Sequence, residues 1–483
     1  MTPVSASGRQ THSQQGCDED HPSASLNGRT INTIIVGSGP TALMVARILS
    51  GREFFHGQKE CGDMQHLACQ EFEGRVYWDE FPESLSTSRG KTPAGNWFDS
   101  FRFLNGTDEQ VHCLKWRDDP DKAVDWHLFS ELPPGGSWQT YRSDQMTISP
   151  YTYMEFPDYP LDTWFAKGNP HEWDDTRPGR KKIINSQLCP YFETYASSLD
   201  QSRMHTGYRV IDAWKEGGLW NVKVSLQNQS GSEQILKCRN LVCAVGSTHI
   251  NRKGVPGEDA AHVSHTTREA FEKIKPGQKI LVLGSGLSAA DVIIHAWKQQ
   301  CHVTHIVDGK TIEDGKKHIS KNSPLSSSKV LFALKELKEC PEHQGLVNVI
   351  EEPAGHENKY TQLKDWQLQA MSEGKCELLT PEKKNETFRF HHVAILIGSR
   401  PDLSWLKTKF TDKQLLGLEV INCSTHEGYE DSIRGLFMVG GCVGEPFQRF
   451  VFGQAIAAGE TIKAQKPLTR NSSTPDVGDS SQD

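Results

Sequence analysis

At 483 residues the chain exceeds what one hydrophobic core usually supports, so two or three domains sharing an interface are expected. A formal net charge of -8 argues against a nucleic-acid partner, whose phosphates call for clustered Lys and Arg. The 12 cysteines include no CxxC and follow no secretory signal, the histidines and carboxylates form no metal-ligand set, and no apolar run is long enough for a membrane span; a cytoplasmic protein without a structural metal is expected.

Residues 1–30 are polar and rich in Ser, Gln and Gly, which predicts a disordered tail. Thr30 to Val36 is a β-branched run that turns at Gly37 into a helix stopping near Ser50 and Gly51. From Arg52 to about Val124 apolar runs are few and aromatics and prolines many, as in RVYWDEFPESL and GNWFDSFRF. This reads as an insertion ahead of the second strand, DWHLFSE at Asp125 to Glu131, which leads into LPPGGSW.

Pro190 to Leu199 is predicted helical, while WNVKVSL at Trp220 and QILKCRNLVCAVG at Gln234 to Gly246 read as strands of a meander returning to the sheet. A second strand, turn and helix occupies Lys279 to Gln299, with HVTHIV as its next strand and HHVAILIGS, from His391, as its closing one. GLFMVGG, from Gly435, begins a last strand and helix, and a second polar tail starts near Lys466. The first domain is therefore split around the second: 31–250 with an insertion at about 52–124, a nested 251–400, a return at 401–465, and a tail at 466–483.

Two stretches carry chemistry. Gly37, Ser38, Gly39, Pro40, Thr41 and Ala42 fit G-x-G-x-x-G/A at a strand-to-helix turn, and Gly284, Ser285, Gly286, Leu287, Ser288 and Ala289 fit it again. In this pattern the first glycine permits the turn, the second lets backbone approach a pyrophosphate, and the small last residue lets helix pack on strand. Two matches in the expected context predict one site for each of two dinucleotides. The carboxylate expected on an adenosine ribose is sought at the end of each second strand: Glu131 in the first unit, Asp308 in the second. A carboxylate at Asp308 accepts from a ribose 2′-hydroxyl and repels a 2′-phosphate, so NADH carries as much weight as NADPH.

With these motifs placed, the chain resembles the flavin-containing monooxygenase superfamily. PPGGSW, with Gly135, Gly136 and Trp138, is similar to that family's GGxW loop; EFPDYP at Glu155 to Pro160 is similar to its FPDFP-like segment; VLGSGLSAAD at Val282 to Asp291 is similar to its second cofactor motif. The whole set, including MTISPYTYMEFP, VAILIGSRPDLSWL and GLFMVGGCVGEPFQRF, resembles the oxidative stress-induced growth inhibitor proteins, a divergent branch of that superfamily, from about residue 31 to 465. The resemblance implies an α/β fold of two dinucleotide-binding Rossmann-type domains, the FAD domain split around a nested NAD(P) domain, in a three-layer ββα architecture. It also implies FAD at the first glycine turn, NADPH or NADH at the second, O2 and an unidentified small-molecule or protein substrate, and a link to growth, cell death or cytokinesis.

The monooxygenase fingerprint FxGxxxHxxxY/F is kept only at His265, which is the sole catalytic candidate, and the family's C-terminal GD reads Gly440-Gly441, so Gly441 offers a backbone amide where a carboxylate is usual. Two other functions compete. A disulfide reductase needs a cysteine pair near the flavin, and none has that spacing. A regulatory scaffold that kept the fold without catalysis suits the degraded fingerprint, whereas two intact glycine turns suit an enzyme.

Overall fold

The computed structural model describes residues 26, 28–56, 90, 92–104, 110–111, 113–147, 149–168, 182–227, 231–307, 359–408, 421–422, 425–445 and 447–465. The first strand, Thr30–Val36, alternates as its sequence TINTIIV requires: Ile34 and Val36 face one side of the sheet and Ile35 the other. The strand pairs in parallel with Trp126–Ser130 on one side and Gln234–Cys243 on the other. Met204–Thr206 adds a further parallel edge beside Trp126–Ser130.

Gln234–Cys243 is long enough to serve two neighbours. Its first half pairs antiparallel with Leu219–Leu226, which pairs with Tyr208–Glu216, and its last residues pair in parallel with Leu436–Met438. The sheet therefore forks. On one face Ile35, Val242 and Phe437 pack beneath the helices Pro40–Leu49 and Gln448–Ala464; on the other, Ile34, Leu241 and Met438 share a core with Val210, Trp220 and Val222 of the meander. Each fully buried aliphatic side chain contributes about 1.5–3 kcal/mol, so both faces must be covered.

The second unit repeats this plan. Lys279–Leu283 lies between His302–Val307 and His392–Ile395, with Tyr360–Lys364 and Val263–Ser264 at the edges, all parallel. Ile280 and Val282 pack against the Leu287–Lys298 helix, while Leu281 and Leu283 face the antiparallel ribbon of Gln367–Ser372, Lys375–Leu379 and Asn385–Arg389. Where the chain passes between the units, His249–Ile250 pairs with Ser399–Arg400, and Ser399 Oγ donates to Ser247 O at 2.6 Å.

The predicted insertion contains ordered elements. Arg52–His56 forms an antiparallel ribbon with Leu114–Asp118, and the Pro93–Ser100 helix lies against Gln448–Ala464. Two glycines allow that approach: an added Cβ would come within 2.7 Å of Phe450 O at Gly95 and within 2.2 Å of Ala94 O at Gly453. The contact is sealed by a buried ion pair, Arg449 to Asp99, with Arg449 lying 3.8 Å over the Phe103 ring.

EFPDYP is a structural joint. Asp158 is buried, accepts from Arg47 Nε at 3.4 Å and from the Tyr195 hydroxyl at 3.0 Å, and forms an ion pair with Arg52, whose Nε lies 3.3 Å away, tying the first helix to the Asn185–Ser197 helix. Phe156 stacks on Tyr195 at 3.5 Å. That helix begins at Asn185, ahead of the predicted Pro190, which lies inside it. The strands Tyr208–Glu216 and Tyr360–Lys364 and the 367–389 ribbon were not predicted; several interleave charged and polar residues that mute the apolar period.

Candidate functional site

The two glycine turns are built alike. Gly37 sits at φ 116°, its N–H donates to Phe129 O at 2.9 Å, and a Cβ there would meet Ala244 O at 2.5 Å. Gly284 sits at φ 124°, its N–H lies 3.5 Å from Ile306 O, and a Cβ there would meet Leu396 O at 2.1 Å. Each first glycine is thus demanded by the fold itself, because the chain must pass close against the end of a neighbouring strand.

The second glycines are different. Gly39 (φ -71°, ψ 173°) and Gly286 (φ -93°, ψ 178°) hold extended backbone that any residue adopts, and a Cβ at either meets nothing within 4 Å. Each is the N-cap of its helix, makes no side-chain cap, and is followed by a first turn without an acidic residue. The helix amides and the positive end of the dipole are therefore left for an external anion. Pro40 lacks an N–H that would be unpaired at this position anyway. Ala42 and Ala289 are fully buried under their helices, Thr41 is nearly buried and Ser288 is exposed.

Around the first turn the chain closes a cradle. Ser38 Oγ lies 2.8 Å from Ser130 Oγ and 2.9 Å from both Leu132 O and Pro133 O, and Gly135 N donates to Ser38 O at 2.8 Å. PPGGSW is thereby laid across the glycine turn. Gly136, at φ 58°, presses so near that a Cβ would lie 2.9 Å from the Gly39 Cα. Trp138 packs at 5.3 Å, edge on, against Tyr141, and its carbonyl accepts from Asn185 Nδ2 at 2.9 Å. The Gly440–Val443 turn completes the cradle: a Cβ on Gly440 would strike Thr41 Oγ1 at 2.6 Å, and one on Gly441 would lie 3.2 Å from Gly246 Cα.

The second turn has a support that sequence reasoning missed. His305 is fully buried on the His302–Val307 strand, with Nε2 2.8 Å from Gly284 O and Nδ1 2.8 Å from the Tyr360 hydroxyl. Burial pushes its pKa down to about 4, so it is neutral near pH 7. With Nε2–H donating to the carbonyl, Nδ1 accepts from the tyrosine. Only its position, facing the turn across the sheet, could have flagged it.

Glu131 follows the second strand at the expected place, half-exposed, where its carboxylate meets Arg209 Nε at 3.2 Å and Gln227 Nε2 at 3.1 Å. Asp308 lies outside the described residues. His265 sits just past the Val263–Ser264 strand, with Nε2 3.0 Å from Arg252 Nη1, Nδ1 3.8 Å from Glu258 Oε1, and its backbone N–H donating to Glu269 at 2.9 Å. A local charged cluster holds it.

Between the units, Arg142 lies 3.6 Å over the Phe271 ring, which stacks on His295 at 3.9 Å. Asp291, in the same helix as His295, faces Arg142 and Lys182; burial pushes its carboxyl up to about 6 despite them. Among the described residues no disulfide forms. Cys238, Cys243 and Cys442 lie buried in the core on the meander side of the sheet, and burial raises each thiol, the last to about 12. Thiols so held are poor nucleophiles. Nor do three potential metal ligands meet among the described residues, and no helix there is long and apolar enough to cross a membrane.

A sequence model of the pyridine nucleotide-disulphide oxidoreductase family matches residues 134–440. Oxidative stress-induced growth inhibitor 1 of Mus musculus is 24% identical over 467 residues, spanning 89% of this chain and 94% of its own. Among solved structures, bacillithiol disulfide reductase from Staphylococcus aureus has a TM-score of 0.55 at 15% identity, covering 91% of this chain and all 100% of that one. The FAD-bound cadaverine monooxygenase of desferrioxamine biosynthesis from Erwinia amylovora has a TM-score of 0.50 at 12% identity, covering 94% and 100%. At these identities the two structures speak for the fold, an α/β fold of two dinucleotide-binding units.

Proposed function

We propose, on the premise that this chain belongs to the pyridine nucleotide-disulphide oxidoreductase family, that it is an FAD-dependent oxidoreductase reduced by NADH or NADPH. The observation that carries this reading is the pair Gly39 and Gly286. Neither is required by its backbone angle or by a neighbouring atom, so glycine at both helix caps answers to something outside the chain, and a dinucleotide pyrophosphate is what such caps accept.

In this reading Gly39, Thr41 and Ala42 with the PPGGSW loop hold FAD, and Gly440 and Gly441 meet it through backbone alone. Gly286, Ser288 and Ala289, buttressed by His305, receive the nicotinamide dinucleotide. Bound flavin supplies hydride acceptance and reactivity toward O2. The chain orients both cofactors and keeps water away, with Arg142, Phe271 and Asp291 filling the junction between the units.

Monooxygenation of an unidentified small-molecule or protein substrate is favoured over disulfide reduction, because Cys238, Cys243 and Cys442 are buried thiols on the face of the first sheet away from the helices, and burial pushes the Cys189 thiol, on the Asn185–Ser197 helix, up to about 11. The names of the curated relatives suggest that the activity serves restraint of growth. A catalytically silent scaffold is the second reading, favoured by His265 being held in its charged cluster. The visible spectrum of purified protein separates the two. Flavin bands, and their bleaching by NADH or NADPH under argon, are expected; a colourless protein that takes up no added FAD sinks the enzyme reading.

A further inference from the structure

The Pro93–Ser100 helix belongs to a segment that the two-dinucleotide plan does not need, yet it is bound into the cradle at several points. Thr92 is buried and its Oγ1 accepts from Gln454 Nε2 at 3.0 Å. Gln454, also fully buried, accepts the Gly440 N–H on Oε1 at 2.6 Å. A relay thus runs from the inserted segment, through the C-terminal helix, to the first glycine of the turn that touches Thr41. The same two elements are clamped by Asp99 and Arg449, and Gly90 donates to Asn96 Oδ1 at 2.8 Å, closing the segment on itself.

A backbone of two successive glycines has little preference of its own, and its peptide planes can rotate at small cost. Gly440 at φ 75° holds one orientation, with its N–H directed inward to Gln454. Since residue 441 has no side chain, whatever this turn offers a cofactor depends on how its peptides are oriented. We infer that the inserted segment is a positioning element of the flavin site: the Thr92, Gln454 and Gly440 relay selects the turn orientation that receives FAD. This rests on the flavin reading above.

The test is FAD binding to the full chain carrying Gln454→Leu, Thr92→Val or Thr92→Ser. Loss of one net hydrogen bond corresponds to roughly a tenfold change in affinity. Gln454→Leu should therefore weaken FAD about tenfold and shift the bound-flavin bands, and Thr92→Val should do so about threefold. Thr92→Ser keeps the hydroxyl and should match wild type. Circular dichroism and thermal unfolding identify variants that do not fold, and should Gln454→Leu be one, Thr92→Val against Thr92→Ser decides. Folded Gln454→Leu or Thr92→Val with wild-type affinity and spectrum overturns the inference while leaving the flavin reading intact. Wild type that binds no FAD overturns both.

Discussion

Alanine at the two glycines of each turn separates what the fold needs from what a ligand needs. At Gly37 a Cβ would lie 2.5 Å from Ala244 O at φ 116°, a conformation that costs alanine on the order of 1–3 kcal/mol before the clash is relieved. Gly37→Ala should lose at least about 3 kcal/mol of stability. At Gly39 the Cβ meets nothing, and the small cap loss is offset by reduced freedom of the unfolded chain, so stability should move by less than about 1 kcal/mol. Its methyl would stand where a pyrophosphate approaches, and FAD affinity should fall at least about a hundredfold, near 2.7 kcal/mol. Gly284→Ala and Gly286→Ala should behave in the same two ways toward stability and nicotinamide binding. Urea unfolding gives the first quantity and flavin fluorescence titration the second. A Gly39→Ala protein that keeps FAD within twofold of wild type would refute the reasoning, because that glycine would then have neither reason.

Acid should destabilise the protein through its buried histidines. Burial holds His205, His305 and His392 down to about 4 and His426 to about 3, so below pH 6.5 the unfolded chain binds protons that the folded one refuses. Glu155, pushed up to about 7, and Asp291, up to about 6, work the other way: each adds stability on acidification, lost as pH rises through its folded value. The four histidines outweigh the two carboxyls, so urea midpoints should fall from pH 7 to 5; a flat profile over that range contradicts it. Asp99→Asn, by removing the carboxylate from its buried pair with Arg449, should cost about 3–5 kcal/mol in the same assay, whereas the double change Asp99→Leu with Arg449→Met should recover much of that; a single-variant loss under about 1 kcal/mol would show that the pair does not hold the segment. From the sequence position of Asp308, NADH and NADPH should reduce the protein comparably, and Asp308→Arg should favour NADPH; a wild-type preference for NADPH of about a hundredfold would defeat this.

What could be read in the sequence was what repeats within a few residues. Thr30–Val36 and Lys279–Leu283 announce themselves because a β-branched run ending in a glycine turn has few other solutions, and the forked strand Gln234–Cys243 shows in its apolar second half. The pattern G-x-G, however, treats its glycines alike, and only the packing divides them: Gly37 and Gly284 serve the chain, whereas Gly39 and Gly286 leave space beside a helix end. Long-range pairs left no trace of period. Asp99 and Arg449 are 350 residues apart, His305 reads as one more residue of a strand, and EFPDYP looked like a family signature when its Asp158 gathers two arginines and a tyrosine. The insertion is the sharpest case. Its scarcity of apolar runs suggested a decoration on a standard plan, yet Gly95 and Gly453 give up side chains so that its helix can lie against the C-terminal one. Glycine within a helix costs roughly 0.5–1 kcal/mol relative to alanine, and here two helices bear that cost at one crossing. A segment accommodated on those terms is part of the core, and through Gln454 its Thr92 is linked to the Gly440 turn of the site.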